Sequence, residues 1–166
     1  MLFVTIYVYA MIEELLVFNL ENQRFALPLS AIERVIRAQA ITTVSNSPAF
    51  IEGVIDYNGE VIAVISLRTR FSLPAKEMHL DDRIIVARTA RRKLALLVDV
   101  VEDVLVPQLE DLSHPKKIHD GLQFLHILRD DRGIILIYDL ENVLSGEEDI
   151  ALQDLIETTF SFKENV

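Results

Sequence analysis

Apolar residues in this chain come in short blocks rich in Val and Ile, separated by clusters of Gly, Asn, Asp, Ser and Pro. Blocks of this kind read as strands rather than helices, because β-branched side chains fit a pleated, covered surface. The clearest example is FIEGVIDYNGEVIAVISLRTRF, from Phe50 to Phe71. Asn58-Gly59 is a preferred pair for a two-residue type I′ turn, whose central residues both need positive φ. Gly53-Val54-Ile55 on one side and Val61 to Ile65 on the other are then the arms of a hairpin. Ser66 is placed to cap the short helical turn Leu67–Phe71 by accepting from a free N–H.

The flanking chain follows the same grammar. LLVFNL and RFALPL form two strands about the turn Glu21-Asn22-Gln23, and Pro28 puts the second at a sheet edge or takes it out of the ladder. Residues 31–44 read as extended and Ser45 to Pro48 as a loop; Ser72 to Asp82 is a polar excursion. RIIVAR and LALLVDVV pair about the tip Arg88-Thr89-Ala90-Arg91-Arg92-Lys93, and VEDVLV stays extended as far as Pro107. A loop from Glu110 to Asp120 precedes FLHIL and IILIY, which are separated by Arg129 to Gly133. Asp139 is an N-cap for the turn that follows, and Gly146 ends it. An acidic helix from Glu147 toward Thr159 occupies the tail, residues 146–166.

Two stretches repeat. Phe25 to Ile36 aligns with Leu94 to Leu105, with identities at Ala26/Ala95, Leu27/Leu96, Glu33/Glu102 and Val35/Val104. Further on, the hairpin at Asn58-Gly59 ending in Ser66-Leu67 is echoed by a hairpin at Arg132-Gly133 ending in Asp139-Leu140. The shared order of strands, hairpin and capped turn indicates duplication. Each half is too small to bury both faces of an open sheet, so the expectation is closure. The reading is an all-β fold of two small, interleaved five-stranded barrels, at roughly residues 25–72 and 84–144, packed about a common apolar seam.

The net charge of −10 argues against a nucleic-acid partner. The basic tip at 88–93 reads as a solvated strand connection. No cysteine is present, so neither a disulfide framework nor a thiolate nucleophile is available. The apolar run Met1 to Ile12 is shorter than the roughly 18–20 residues of a membrane span and has no cation before it, unlike a secretory signal. It is read as an N-terminal extension, residues 1–13, of which 1–10 reflect a misplaced start.

Chemistry is sparse. The isolated glycines form no phosphate loop, and His79, His114, His119 and His126 have no metal-ligand spacing. Adjacent acids such as Asp81-Asp82 and Asp130-Asp131 point to opposite faces of a strand and suit solvation better than shared acid–base work. There is no nucleophile motif. The chain reads as a non-enzyme with no cofactor and no metal.

With LLVFNL, Phe25-Ala-Leu-Pro-Leu, Pro48 to Ile62, Ile65 to Phe71, Leu94 to Asp99 and Asp139 to Leu144 in hand, the sequence resembles the CheW-type chemotaxis coupling proteins across residues 14–145. The resemblance implies two SH3-like barrel subdomains. It also implies a non-catalytic cytoplasmic adaptor at the inner face of the membrane, joining a CheA-type histidine kinase regulatory domain to the cytoplasmic tip of chemoreceptors. The receptor-facing positions carried over are Ile32, Arg34, Ile36, Gly53, Val54, Asn58 and Gly59. Ile32, Ile36, Val54 and the hairpin tip are then expected to form exposed patches, or else plain core. Asn58 stands where the family usually has Arg, Ala63 where it often has Pro and Ala95 where Gly is common; Arg34 is acidic in some members. Two alternatives are a small-ligand regulatory barrel and a divergent scaffold with another receptor partner. A hydrolase with a dispersed site ranks behind both.

Overall fold

The computed structural model describes residues 14–113 and 124–160. The N-terminal extension, His114, His119 and the end of the tail lie outside the described residues. Period-2 patterning produces β1 (Leu15–Leu20), β2 (Gln23–Pro28), β3 (Ile32–Arg37), β4 (Ile51–Tyr57), β5 (Glu60–Ser66), β6 (Arg83–Arg88), β7 (Lys93–Val98), β8 (Val100–Leu105), β9 (Leu112–Ser113), β10 (Phe124–Asp130) and β11 (Gly133–Tyr138). Two helices complete the order, α1 (Leu67–Arg70) and α2 (Gly146–Phe160). Ser66 caps α1 by accepting from the Thr69 N–H at 3.2 Å, and Asp139 caps the 3₁₀ turn Leu140–Asn142 through the Glu141 N–H.

The strands form two sheets, β8-β1-β2-β11-β10-β9 and β3-β6-β7-β5-β4. The duplication is written into this order. In each sheet a hairpin (β1–β2 or β6–β7) pairs in parallel with the second arm of another (β10–β11 or β4–β5). The strand that follows each first hairpin crosses over. β3 leaves β2 to pair with β6, and β8 leaves β7 to pair with β1.

The observed order differs from the sequence reading in the closure of the sheets and in the position of one turn. The two units interleave along the chain: β2 belongs with β10 and β11, while β6 and β7 belong with β4 and β5. Neither sheet is closed by a ladder among the described residues, so these are open sheets of six and five strands rather than closed barrels. β2 is interior to its sheet, and Pro28 ends it, the second of the two options open to a proline there. The turn of the β10–β11 hairpin is Asp131-Arg132, with Gly133 already paired to Asp130.

Alternating side chains divide the apolar residues among three clusters. Leu16, Phe18, Leu20, Phe25 and Leu27 join Ala63, Ile65, Ile85, Ala87, Leu94, Leu96 and Val98 in a seam between the sheets. Leu15, Val17, Ala26, Ile135 and Ile137 fill the concave side of the larger sheet, and Ile55, Tyr57, Ile62, Val64, Ile84, Val86 and Ala95 that of the smaller. Stacked Phe18–Phe25 and Phe25–Phe71 pairs and an edge-on Phe71–Tyr138 pair run through the seam, with ring centroids 4.7–5.8 Å apart. Burial there pushes the Tyr138 hydroxyl up to about 12. Leu152 of α2 is buried against the seam, with Leu155 and Ile156 beside it.

Candidate functional site

The seven residues carried over from the resemblance fall on β3 and on the β4–β5 hairpin, the two opposite edges of the smaller sheet. In β3, Glu33, Arg34 and Val35 face solvent, while Ile32 packs on the seam and Ile36 on the interior cluster. Asn58 and Gly59 sit at the exposed hairpin tip with φ of 53° and 86°, and the Gly59 N–H donates to Asp56 Oδ1 at 2.7 Å. This is the type I′ geometry the sequence predicts. Gly53 is buried, and Val54 takes the second of the two readings open to it, plain core. Val54 is 3% exposed, and its N–H and C=O are both bonded to Thr42 at 2.9 Å. They support the surface from beneath.

Curling of the sheet brings the two edges together. Beyond β3 the chain returns to bridge β4 at Thr42–Val54, and Ile36 and Ile41 pack with Ile55 and Tyr57. Lys93 on β7 spans what remains. Its Nζ lies 3.2 Å from Glu33 on β3, 3.1 Å from Glu60 beside the hairpin turn and 5.2 Å from the centre of the Tyr57 ring. Although desolvation pushes the Glu33 carboxyl up, the hydrogen bonds from Lys93 and Tyr57 hold it below the usual carboxylate range. The same contacts, from Glu60 first, hold the Lys93 ammonium above its ordinary value.

The larger sheet carries the counterpart. Arg24 on β2 meets Asp130 of the β10–β11 hairpin through two bonds of 2.8 and 2.9 Å and reaches Glu102 on β8 at 3.2 Å. Glu102 also accepts from Asn19 and Arg132, both at 2.8 Å. Desolvation pushes Glu102 up, but these donors outweigh it and its carboxyl titrates low. Sequence reasoning missed this pair of cross-sheet bridges. The signal was the Glu33/Glu102 identity, since one residue before the aligned block stand the two cations, Lys93 and Arg24.

The basic tip is not simply solvated, as the sequence reading expected. Arg92 Nε donates to Asp149 Oδ1 on α2 at 2.6 Å, and the Ala90 N–H donates to Glu141 at 3.1 Å. A further network joins Asp99 to Arg68 at 2.6 Å, to Lys76 at 3.5 Å and to the Glu21 N–H at 2.9 Å, with Arg68 also on Glu21. It fastens the β1–β2 turn and α1 to the β7–β8 crossover. No group of three or more metal-ligating side chains occurs among the described residues, and His126 lies buried in β10.

A duplicated two-sheet β domain, with its apolar mass in a seam and its polar groups spent on internal bridges, is built as a rigid platform that presents surfaces. The chain belongs to the CheW-like domain family, whose sequence model it matches over residues 14–148. This is a family of chemotaxis scaffold proteins. The CheW chemotaxis protein of Thermotoga maritima is 31% identical over 134 residues, covering 79% of this chain and 87% of that one. CheW of Klebsiella aerogenes is 27% identical, covering 86% and 87%. The crystal structure of the scaffolding protein TtCheW from Thermoanaerobacter tengcongensis superposes with a TM-score of 0.75 at 27% identity, over 83% of this chain and 97% of that one.

Proposed function

We propose that this chain is a non-catalytic cytoplasmic adaptor that couples chemoreceptors to a CheA-type histidine kinase through protein–protein contacts, in arrays at the inner face of the membrane. Family membership over 14–148 supports the role, and the architecture supports the means. The observation that carries the reading is one end of the smaller sheet. There Arg34 and Val35 on an edge strand paired on one side only, and Asn58-Gly59 on a hairpin tip, are exposed, with Lys93 bridging the two elements. A rigid edge of mixed apolar and cationic character fits a receptor helix pair. The kinase regulatory domain takes another face of the molecule. Among the described residues, no helix is long and apolar enough to cross a membrane.

Asn58 sets receptor choice in this reading, because a carboxamide cannot make the bidentate carboxylate contact of a guanidinium. Asn58→Arg is expected to change which native receptors the chain retains in a pull-down by tenfold or more, while leaving kinase binding unaltered. Unchanged retention of every native receptor would refute the assignment of the hairpin tip. Failure of the unmodified chain to bind the regulatory domain of its cognate kinase would refute the adaptor role.

A further inference from the structure

The locally basic segment of this acidic chain borders a cavity. The start of β5, the β6–β7 tip and α2 border an open cleft of about 280 Å³. Arg88, Arg91, Arg92 and Lys93 line it from one side and the Gln153 amide from another, with Val61, Ala63 and Ile156 as apolar wall and Glu60 as its acid. Internal partners do not exhaust these cations. Arg92 is engaged by Asp149 at 2.6 Å, and Lys93 by Glu33 and Glu60. Arg91, largely exposed, stands 3.8 Å from the already engaged Asp149, and Arg88 is exposed, its charge only helping to hold the Glu33 carboxyl low. Two guanidinium forks therefore retain donors at the cavity, above a base of two more cations held in place by their own acids.

We infer that this cavity binds a small multivalent oxyanion, a phosphorylated or polycarboxylate metabolite. Arg88 and Arg91 supply bidentate hydrogen bonds, while Arg92 and Lys93, balanced by Asp149, Glu33 and Glu60, form the floor of the site, and the Gln153 amide, which donates to Glu157, lines its far side. A bound anion would tie α2 to the smaller sheet and stabilise the folded chain by mass action. The site does not depend on the adaptor reading, and either can fail without the other.

The test is calorimetric titration of the full-length chain with pyrophosphate and, separately, with citrate, each against sodium chloride at matched ionic strength. Saturable binding of either anion is expected. It should fall at least tenfold in the Arg88→Gln/Arg91→Gln double variant and in Gln153→Glu, both of which alter exposed side chains; a cooperative melting transition of each unliganded variant shows that it is folded. The anion that binds tighter identifies the ligand as phosphorylated or polycarboxylate. Absence of saturable binding to both anions, or undiminished affinity in both variants, would overturn the assignment.

Discussion

At Gly53 a Cβ would stand 2.3 Å from the Thr42 carbonyl oxygen and 2.7 Å from Ile41 Cγ2, at a backbone φ of +150°. Both the clash and the strain fall on the Thr42–Val54 bridge that draws the sheet edges together. Gly53→Ala is expected to cost about 2–4 kcal/mol in urea unfolding. Gly59→Ala, with nothing within 4 Å but a φ of +86°, should cost about 1 kcal/mol. At the other sheet, Arg24→Gln removes the guanidinium shared by Glu102 and Asp130 and should cost about 1–3 kcal/mol at pH 7. Its effect also has a pH signature. The folded-state carboxyls of Glu102 and Asp130 titrate below their ordinary values of 4.5 and 3.8. Their contribution is therefore complete above about pH 5 and is lost as pH falls through the lowered folded-state values. Stability measured from pH 6 down to pH 3 should fall less steeply in Arg24→Gln than in the unmodified chain; parallel curves would refute the bridge.

Among the elements, those with a chemical start signal were legible in the sequence. Ser66, Asn58-Gly59 and Asp139 act locally, through hydroxyl, backbone φ and carboxylate, and each does in the structure what its residue type predicts. The helix α2 was legible from its acidic first turn, but its capping box was not recognised: the Glu148 N–H donates to Ser145 Oγ at 3.1 Å and the Ser145 N–H to Glu148 Oε2 at 2.8 Å. Glu148 is also held by Arg70 at 2.5 Å, which ties the helix to α1. Ser145→Ala should weaken the start of α2 by about 1 kcal/mol. Amide exchange is expected to quicken at Glu147 to Asp149 and to stay unchanged in β6 and β7; equal acceleration throughout would show that the cap is not local. What the sequence could not disclose was which sheet a strand joins. A continuous apolar run states that a strand is covered on both faces; it does not state which neighbour covers them, and here the crossovers at β3 and β8 exchange strands between halves.

For the whole molecule, the four identities that revealed the duplication occupy equivalent places. Ala26 and Ala95 face the two sheet interiors, Leu27 and Leu96 face the seam, and Glu33 and Glu102 each take a bridging cation. Val35 and Val104 lie 36% and 41% exposed on the two edge strands. The candidate site was legible only as far as β3 and the hairpin tip; Val54 could not be told from a surface valine, since its burial depends on a return of chain from Thr42 that no local pattern encodes. Because the strands are exchanged and the seam is shared, the halves should not unfold separately. Phe71→Ala, which opens the aromatic row between the sheets, is expected to cost about 3–5 kcal/mol while preserving a single transition by fluorescence and circular dichroism. Two separated transitions would contradict the shared core. The most direct measurement of the central claim, a rigid platform joining two partners, is titration of the chain into the regulatory domain of its cognate CheA-type kinase with and without the receptor's cytoplasmic tip. The account predicts saturable binding to each partner separately and to both at once. Mutual exclusion of the two partners, or binding to neither, would contradict it.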